Sequence, residues 1–320
     1  MTTIFRSLLA LSLLLGASGF TADNAAAADF TCVAEISSKW SSQLSSKFSG
    51  NTDFKSKFLA EYPSGRLPQS GQCTWLLIRG PIQKGDAQKF SDLLQKSHPF
   101  LEYLFLDSPG GLVDEAMAIG KMVRRALVQT WAPEQTKRNG QRKFSIFTKP
   151  SCAGATCQCA SACFLIWAAG VERNGWILGL HRPSTTDATY VDLRPSDAAP
   201  RYREQLTKIR DYLEEMDTPR RYVDLMVDTN SADMTWLTQK DQDGLSAPAS
   251  IAEWIKSSCG AVAQKEEDTA FELEFQQDYD GKRLSAQENT FIEQVNLKRS
   301  QVNDCGRKRL NRARDAVSIP

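Results

Sequence analysis

The chain has 320 residues, and its 39 Lys and Arg nearly balance its 38 Asp and Glu, which gives a formal net charge of +1 at pH 7. Such a balance provides no strong global field toward nucleic acid or an anionic membrane surface. The length suffices for one larger domain with extensions or for two small domains. Because the sequence has neither a glycine-rich phosphate loop nor a dinucleotide fingerprint, it predicts no cofactor.

The N-terminal residues have the pattern of a secretory signal. Arg6 precedes an apolar run over residues 8–15, and Ala26-Ala27-Ala28 before Asp29 suits signal peptidase. We therefore predict a signal peptide over residues 1–28, with an uncleaved anchor as the alternative, although the run is short for a membrane span. Export predicts a periplasmic or secreted protein without a stable membrane span after cleavage.

Hydrophobic periodicity predicts an α/β core between two helical extensions. Residues 29–70 indicate a helical lead-in, residues 71–258 an α/β domain, and residues 259–320 a charged helical extension. Apolar runs predict strands at residues 74–81, 101–106, 144–147 and 176–180. Helical spacing predicts helices at 85–96, 112–127 and 201–227, the last with a kink at Pro219, and polar loops at 133–142 and 184–200. Strands that alternate with helices indicate a parallel sheet covered by helices.

The chain has eight cysteines, an even number that agrees with an oxidising compartment. Four of them surround Ser161: Cys152, Cys157, Cys159 and Cys163. They contain no Cys-x-x-Cys pair, and the chain has only two histidines, so the sequence favours disulfides and predicts no metal site. The pairing cannot be derived from spacing. Cys259 with Cys305 and Cys32 with Cys73 are trial pairings.

A small-residue segment, Ala160-Ser161-Ala162, stands where a loop becomes an apolar helix. There the serine hydroxyl would lie beside free N–H groups that stabilise an oxyanion, and small neighbours would admit a substrate carbonyl. The alternative role for Ser161 is that of an ordinary N-cap.

Two further motifs flank this serine along the chain. Upstream, Ser108-Pro109-Gly110-Gly111 could direct its amides at a ligand or could be a plain turn. Downstream, Leu180-His181-Arg182-Pro183 follows a predicted strand and supplies a candidate base, with a satisfied loop histidine as the alternative. His98, in a polar turn, is predicted to have no role. A nucleophile, a base and N–H donors are the requirements of acyl transfer.

In these three motifs, residues 74–250 resemble the Clp proteolytic subunit and its relatives in the Clp/crotonase superfamily. The resemblance implies a spiral of βαβ units that assembles as a homo-oligomer. It implies Ser161 as the nucleophile, His181 as the base and Asp228 as the residue that orients the base, with Asp233 as the competitor for that role. It also implies an oxyanion hole formed by three residues: Gly110, Gly111 and Ala162.

The chain departs from that family in two respects. The stretch between Gly111 and Ser161 contains a polar loop and the cysteine cluster, and no segment for docking an ATP-driven unfoldase is recognisable. We therefore expect a peptide or protein substrate in the cell envelope, with no unfoldase and no nucleic acid as partners. The alternatives are an inactive binding or scaffold protein with this fold and, less favoured, a crotonase-type acyl-thioester enzyme.

Overall fold

A computed structural model describes residues 27–135, 142–144, 157–184, 195–242, 244–278 and 281–319. The predicted signal peptide, except its last two residues, lies outside these ranges. So do Cys152, most of the predicted strand at 144–147 and residues 185–194 of the predicted polar loop. The described part of the chain contains no helix that is long and apolar enough to span a membrane.

The described strands are β1 (Asp29–Glu35), β2 (Cys73–Arg79), β3 (Tyr103–Asp107), β4 (Gln129–Trp131), β5 (Glu134–Gln135), β6 (Arg142–Lys143), β7 (Cys159–Ala160), β8 (Arg173–Asn174), β9 (Leu178–Leu180) and β10 (Thr235–Trp236). The described helices are α1 (Ser38–Gly50), α2 (Thr52–Glu61), α3 (Asp86–Ser97), α4 (Val113–Arg125), α5 (Ala162–Ala168), α6 (Pro195–Glu215), α7 (Arg220–Asp228), α8 (Gln239–Gln242), α9 (Ala249–Cys259), α10 (Gln264–Asp278) and α11 (Ala286–Ala316).

The main sheet has the strand order β1-β2-β3-β4-β8, and β2, β3, β4 and β8 are parallel. The apolar runs that predicted β2 and β3 are buried here, and Leu76 pairs with Leu104 in register. A second sheet, β10-β9-β7, places the strand before Ser161 parallel to the strand before His181. The mixed α/β architecture is therefore as predicted.

Helix α5, which follows Ser161, lies at the centre of the core, and each of its seven residues is buried. It packs on α4 and α6. Gly120 of α4 makes room for the buried Tyr212 of α6, because a Cβ atom at Gly120 would lie 1.8 Å from the Tyr212 hydroxyl oxygen. That hydroxyl donates to the Leu165 carbonyl at 2.8 Å, so one glycine allows three helices to meet.

The long helix predicted over residues 201–227 is two helices. Helix α6 ends at Glu215, and Asp217 has a φ of 51° that a continuing helix does not allow. Pro219 then adopts an extended conformation as the N-cap of α7. Proline lacks the N–H that an uninterrupted helix requires, so the predicted kink is a complete break.

Both terminal extensions pack on the core. The predicted helical lead-in begins with a strand, β1, which pairs antiparallel with β2 and forms the sheet edge. Near the C-terminus, Arg314 of α11 is 2% exposed. Its guanidinium donates to the carbonyl oxygens of Ala126 at 3.3 Å and Leu127 at 2.8 Å. The basic end of α11, predicted only as part of a charged helical extension, thus caps the end of α4.

Candidate active site

Ser161 stands at a strained turn between β7 and α5. Its φ of 55° and ψ of −124° are unusual for a residue with a side chain and cost on the order of 1–3 kcal/mol. Two backbone bonds hold this geometry: Ser161 N donates to Gly179 O at 2.8 Å, and Phe164 N donates to Ser161 O at 3.0 Å. Strain held in this way at a polar residue is typical of functional sites.

The diglycine turn lies directly against Ser161. The backbone joins them, because Ser108 N donates to Gln158 O at 2.7 Å and Ala160 N donates to Ser108 O at 3.0 Å. Gly110 has a φ of 108°, and a Cβ atom there would lie 2.6 Å from Ser161 Cβ. Only glycine therefore permits this approach.

The second sheet positions the backbone of His181. Ala160 of β7 pairs with Gly179 of β9, so His181, two residues after Gly179, follows the strand beside Ser161. The Nδ1 atom of His181 lies 2.8 Å from the Arg182 carbonyl oxygen. Since a carbonyl oxygen only accepts, Nδ1 carries the proton in the neutral ring, and Nε2 has a free lone pair. This is the tautomer that a general base needs.

The N–H groups near Ser161 differ in whether they already donate a hydrogen bond. Gly110 N donates to Ser108 Oγ at 3.1 Å, so its amide is engaged within the turn, and its role as an oxyanion donor stays a prediction. Within the described residues, the Gly111 and Ala162 N–H groups have no acceptor. Gly111 itself is held between two backbone bonds of Ile82, at 2.7 and 2.9 Å.

Arg182 N donates to Thr229 O at 3.0 Å, so the end of α7 lies beside the strand that precedes His181, but the Asp228 carboxylate is not hydrogen-bonded to the imidazole among the described residues. Asp228 is the last residue of α7, its side chain is 74% exposed, and its carboxylate lies 3.9 Å from Arg210 of α6. Asp233 is exposed in the turn that follows. Among the described residues, neither carboxylate forms a hydrogen bond with His181. The Arg182 backbone carbonyl occupies Nδ1 and the Asp228 carboxylate faces α6, so the orienting role of Asp228 stays a prediction.

We expect Asp228→Asn to change the rate at which Ser161 reacts with a fluorophosphonate by less than threefold. An aspartate that orients a catalytic histidine is worth about 10⁴-fold in rate, whereas Asp228 faces Arg210. The measurement is the labelling rate, with Asp233→Asn as the matched control. A loss of a hundredfold or more in Asp228→Asn alone would show that the carboxylate acts on His181.

Three disulfides are described. Cys159–Cys163 encloses Ser161 within a separation of four residues, and both cysteines are buried. The trial pairings Cys32–Cys73 and Cys259–Cys305 are confirmed. The disulfide prediction also holds for Cys157, whereas Cys152 lies outside the described residues. The described part of the chain contains no group of three or more residues suited to a metal ion.

The sequence did not predict two apolar side chains of the site, Met234 and Trp236, the second of which belongs to β10. A Cβ atom at Gly179 would lie 2.5 Å from Met234 Sδ and 3.0 Å from Trp236 Cζ3, so both side chains cover the glycine beside Ser161. Trp236 is 42% exposed. The only sequence signal was an aromatic residue after Asp228, and β10 has just two residues, too few to show a strand pattern.

The chain matches no family model and no curated protein. The solved structures similar to it include a mutant ClpP1 from Listeria monocytogenes, with 17% sequence identity over 54% of this chain and 87% of that chain. The TM-score is 0.37, so this similarity carries no conclusion about activity.

Proposed function

We propose that this protein is a serine-type hydrolase, with Ser161 as the nucleophile and His181 as the general base. The observation that carries the proposal is the convergence of three motifs far apart in the chain. The Cβ position of Gly110 lies 2.6 Å from Ser161 Cβ. Ser161 N donates at 2.8 Å to Gly179 O, in the strand that precedes His181.

The chemistry is acyl transfer to a peptide or ester carbonyl. The Ser161 oxygen attacks the carbonyl carbon while Nε2 of His181 takes the hydroxyl proton, and the Nδ1–H bond to Arg182 O keeps the ring in that tautomer. The N–H groups of Gly111 and Ala162 stabilise the oxyanion, and the loss of one such donor costs about 3 kcal/mol. The imidazolium then protonates the leaving group, and water, activated by His181, hydrolyses the acyl-enzyme.

The proposed substrate is a peptide or protein of the cell envelope. Three disulfides support an oxidising compartment, the periplasm or the exterior. We also propose that the chain has a Clp/crotonase-type spiral fold, forms a homo-oligomer and loses its signal peptide by cleavage. The proposal includes neither a cofactor nor an ATP-driven unfoldase, and no nucleic-acid partner.

A second candidate is a non-hydrolytic binding or scaffold protein with the same fold. One observation favours it: a neutral carbonyl rather than a carboxylate faces His181 Nδ1, so an imidazolium would gain less stabilisation. In addition, no hydrogen bond joins Ser161 Oγ to His181 in the described part of the chain. Such contacts often form only when the substrate binds.

Fluorophosphonate labelling of the purified protein distinguishes the two candidates. We expect wild type to be labelled and Ser161→Ala to be unlabelled, because the nucleophile is missing. His181→Ala should react at least a hundredfold more slowly, since its base is missing. Ser38→Ala, an exposed serine of α1, is the matched control and should react as wild type does. A folded wild-type protein that remains unlabelled would contradict the hydrolase and favour the binding protein.

We expect Trp236 to select apolar substrate side chains. In the antiparallel pair of β9 and β10, Thr235 lies opposite Leu180. Because side chains alternate between the two faces of a sheet, Trp236, Met234 and His181 lie on the same face as Gly179. Burial of an apolar side chain there is worth about 1–3 kcal/mol. Trp236→Ala should therefore lower kcat/KM at least tenfold for a phenylalanyl ester and less than threefold for an alanyl ester.

Trp40→Ala is the matched control for this selectivity, since Trp40 is also exposed (46%) but belongs to α1. It should leave the ratio of the two kcat/KM values unchanged. An equal loss of kcat/KM on both esters in Trp236→Ala would indicate general damage to the site rather than selectivity.

A further inference from the structure

A cavity of about 420 Å³ lies between α1, α2 and the C-terminal part of α11. Glu102, which precedes β3, is part of its wall, whereas Ser108 of the candidate active site follows β3. About 20 Å of extended chain therefore separates the cavity from the active site. The volume is within the range of small-molecule sites.

Aromatic side chains make up much of the wall. Phe54 and Phe58 have ring centroids 6.2 Å apart, Phe58 and Tyr62 5.0 Å, and Tyr62 and Phe100 5.3 Å. Trp40 adds an indole at the opening. Burial raises the pKa of Tyr62 to about 12, so its phenol is neutral at physiological pH. Neutral rings with electron-rich faces attract an organic cation.

The charged groups of the wall differ in whether they have a partner. Lys57 pairs with Asp53 at 2.8 Å, and Arg307 pairs with Glu61 at 3.2 Å. Among the described residues, the carboxylate of Glu102 has no hydrogen bond and no ion pair at short distance, and it interacts electrostatically with Arg314. The two positive side chains of the wall thus have ion-pair partners at short distance, whereas the Glu102 carboxylate has none among the described residues.

The charge of Arg314 acts on Glu102 without a direct contact between the two groups. Arg314 interacts with it electrostatically, but the Arg314 guanidinium donates its hydrogen bonds to backbone carbonyls and to Asn311. A partly buried carboxylate beside aromatic rings gains more from a bound cation than from water.

We propose that this cavity binds an organic cation with an apolar body, such as a substituted ammonium ion. The rings of Trp40, Phe58 and Tyr62 contact its alkyl or aryl groups, and the Glu102 carboxylate balances its charge. This inference is independent of the proposed hydrolase.

Isothermal titration calorimetry with three probes of similar size tests this site on the full chain. The probes are benzyltrimethylammonium, its neutral carbon isostere neopentylbenzene, and the anion 3-phenylpropanoate. We expect the cation to bind at least tenfold more tightly than either of the others. Equal affinity for the cation and its isostere, tighter binding of the anion, or no binding of the cation would overturn the proposal.

Variants locate the binding within the cavity. Glu102→Gln keeps the side-chain shape. It should lower the affinity for the cation at least tenfold and leave the affinity for the neutral isostere unchanged. Trp40→Ala removes an exposed ring, so this variant should fold even if Glu102→Gln does not. It should lower the affinity for the cation at least threefold. Trp236→Ala and Ser161→Ala are controls and should bind as wild type does. Unchanged affinity in Trp40→Ala would place the cation elsewhere and overturn the site.

Discussion

Gly110→Ala is expected to abolish fluorophosphonate labelling of Ser161 and to destabilise the protein at the same time. The new Cβ atom would lie 2.6 Å from Ser161 Cβ and 2.9 Å from Ala160 O, so the serine or the turn has to move. A displacement of about 1 Å at a reacting group costs about a hundredfold in rate. The φ of 108° adds about 1–3 kcal/mol of strain for a residue with a side chain.

Gly85→Ala is the matched control for Gly110→Ala. Gly85 has a φ of 93°, close to that of Gly110, but nothing lies within 4 Å of its Cβ position. It should lose about 1–2 kcal/mol of unfolding free energy from backbone strain alone and retain the full labelling rate. The measurements are the labelling rate and denaturant unfolding of both variants. If Gly110→Ala reacted as fast as Gly85→Ala, the diglycine turn would not be part of the site.

Removal of single disulfides is expected to separate stability from reactivity. In the chain-entropy model, Cys32–Cys73, with a separation of 41 residues, contributes about 4 kcal/mol. Cys159–Cys163, with a separation of four, contributes about 2 kcal/mol. The Cys159–Cys163 disulfide differs from Cys32–Cys73 in position, because it encloses Ser161 and fixes the strained turn. Cys159→Ala/Cys163→Ala should therefore reduce the labelling rate at least tenfold, although it lowers the free energy of unfolding less than the loss of Cys32–Cys73 does.

Denaturant unfolding and labelling of three double variants check this separation. Cys32→Ala/Cys73→Ala should be the less stable protein but should react at the wild-type rate wherever it is folded. Cys259→Ala/Cys305→Ala, with a separation of 46 residues, should behave in the same way and is the second control. A wild-type rate in Cys159→Ala/Cys163→Ala would mean that the backbone bonds of Ser161 hold the turn without the disulfide.

Local patterns in the sequence predicted the elements whose signal lies within one segment. Strands β2 and β3 and helices α3 and α4 were predicted within a few residues, because continuous apolar runs and helical spacing reflect burial along a single element. The three motifs were likewise visible in order, since a diglycine turn, a serine between alanines and a histidine after a strand are local patterns.

Short strands and edge strands were not predictable in this way. Strand β4 has three residues and β8 has two, too few for any period to appear. Strand β1 belongs to the sheet because its backbone pairs with β2, which lies about 40 residues away in the chain. Pairing between distant segments is a tertiary property.

Which residues form the site depends on how distant elements pack together. The carboxyl ends of parallel strands lie at one edge of a sheet, and this brings the turn after β3, Ser161 after β7 and His181 after β9 together. The direction of Asp228 depends instead on how α7 packs on α6, and packing turned it to Arg210. Local pattern thus determined which residue types were available, and the packing of distant elements determined which of them meet.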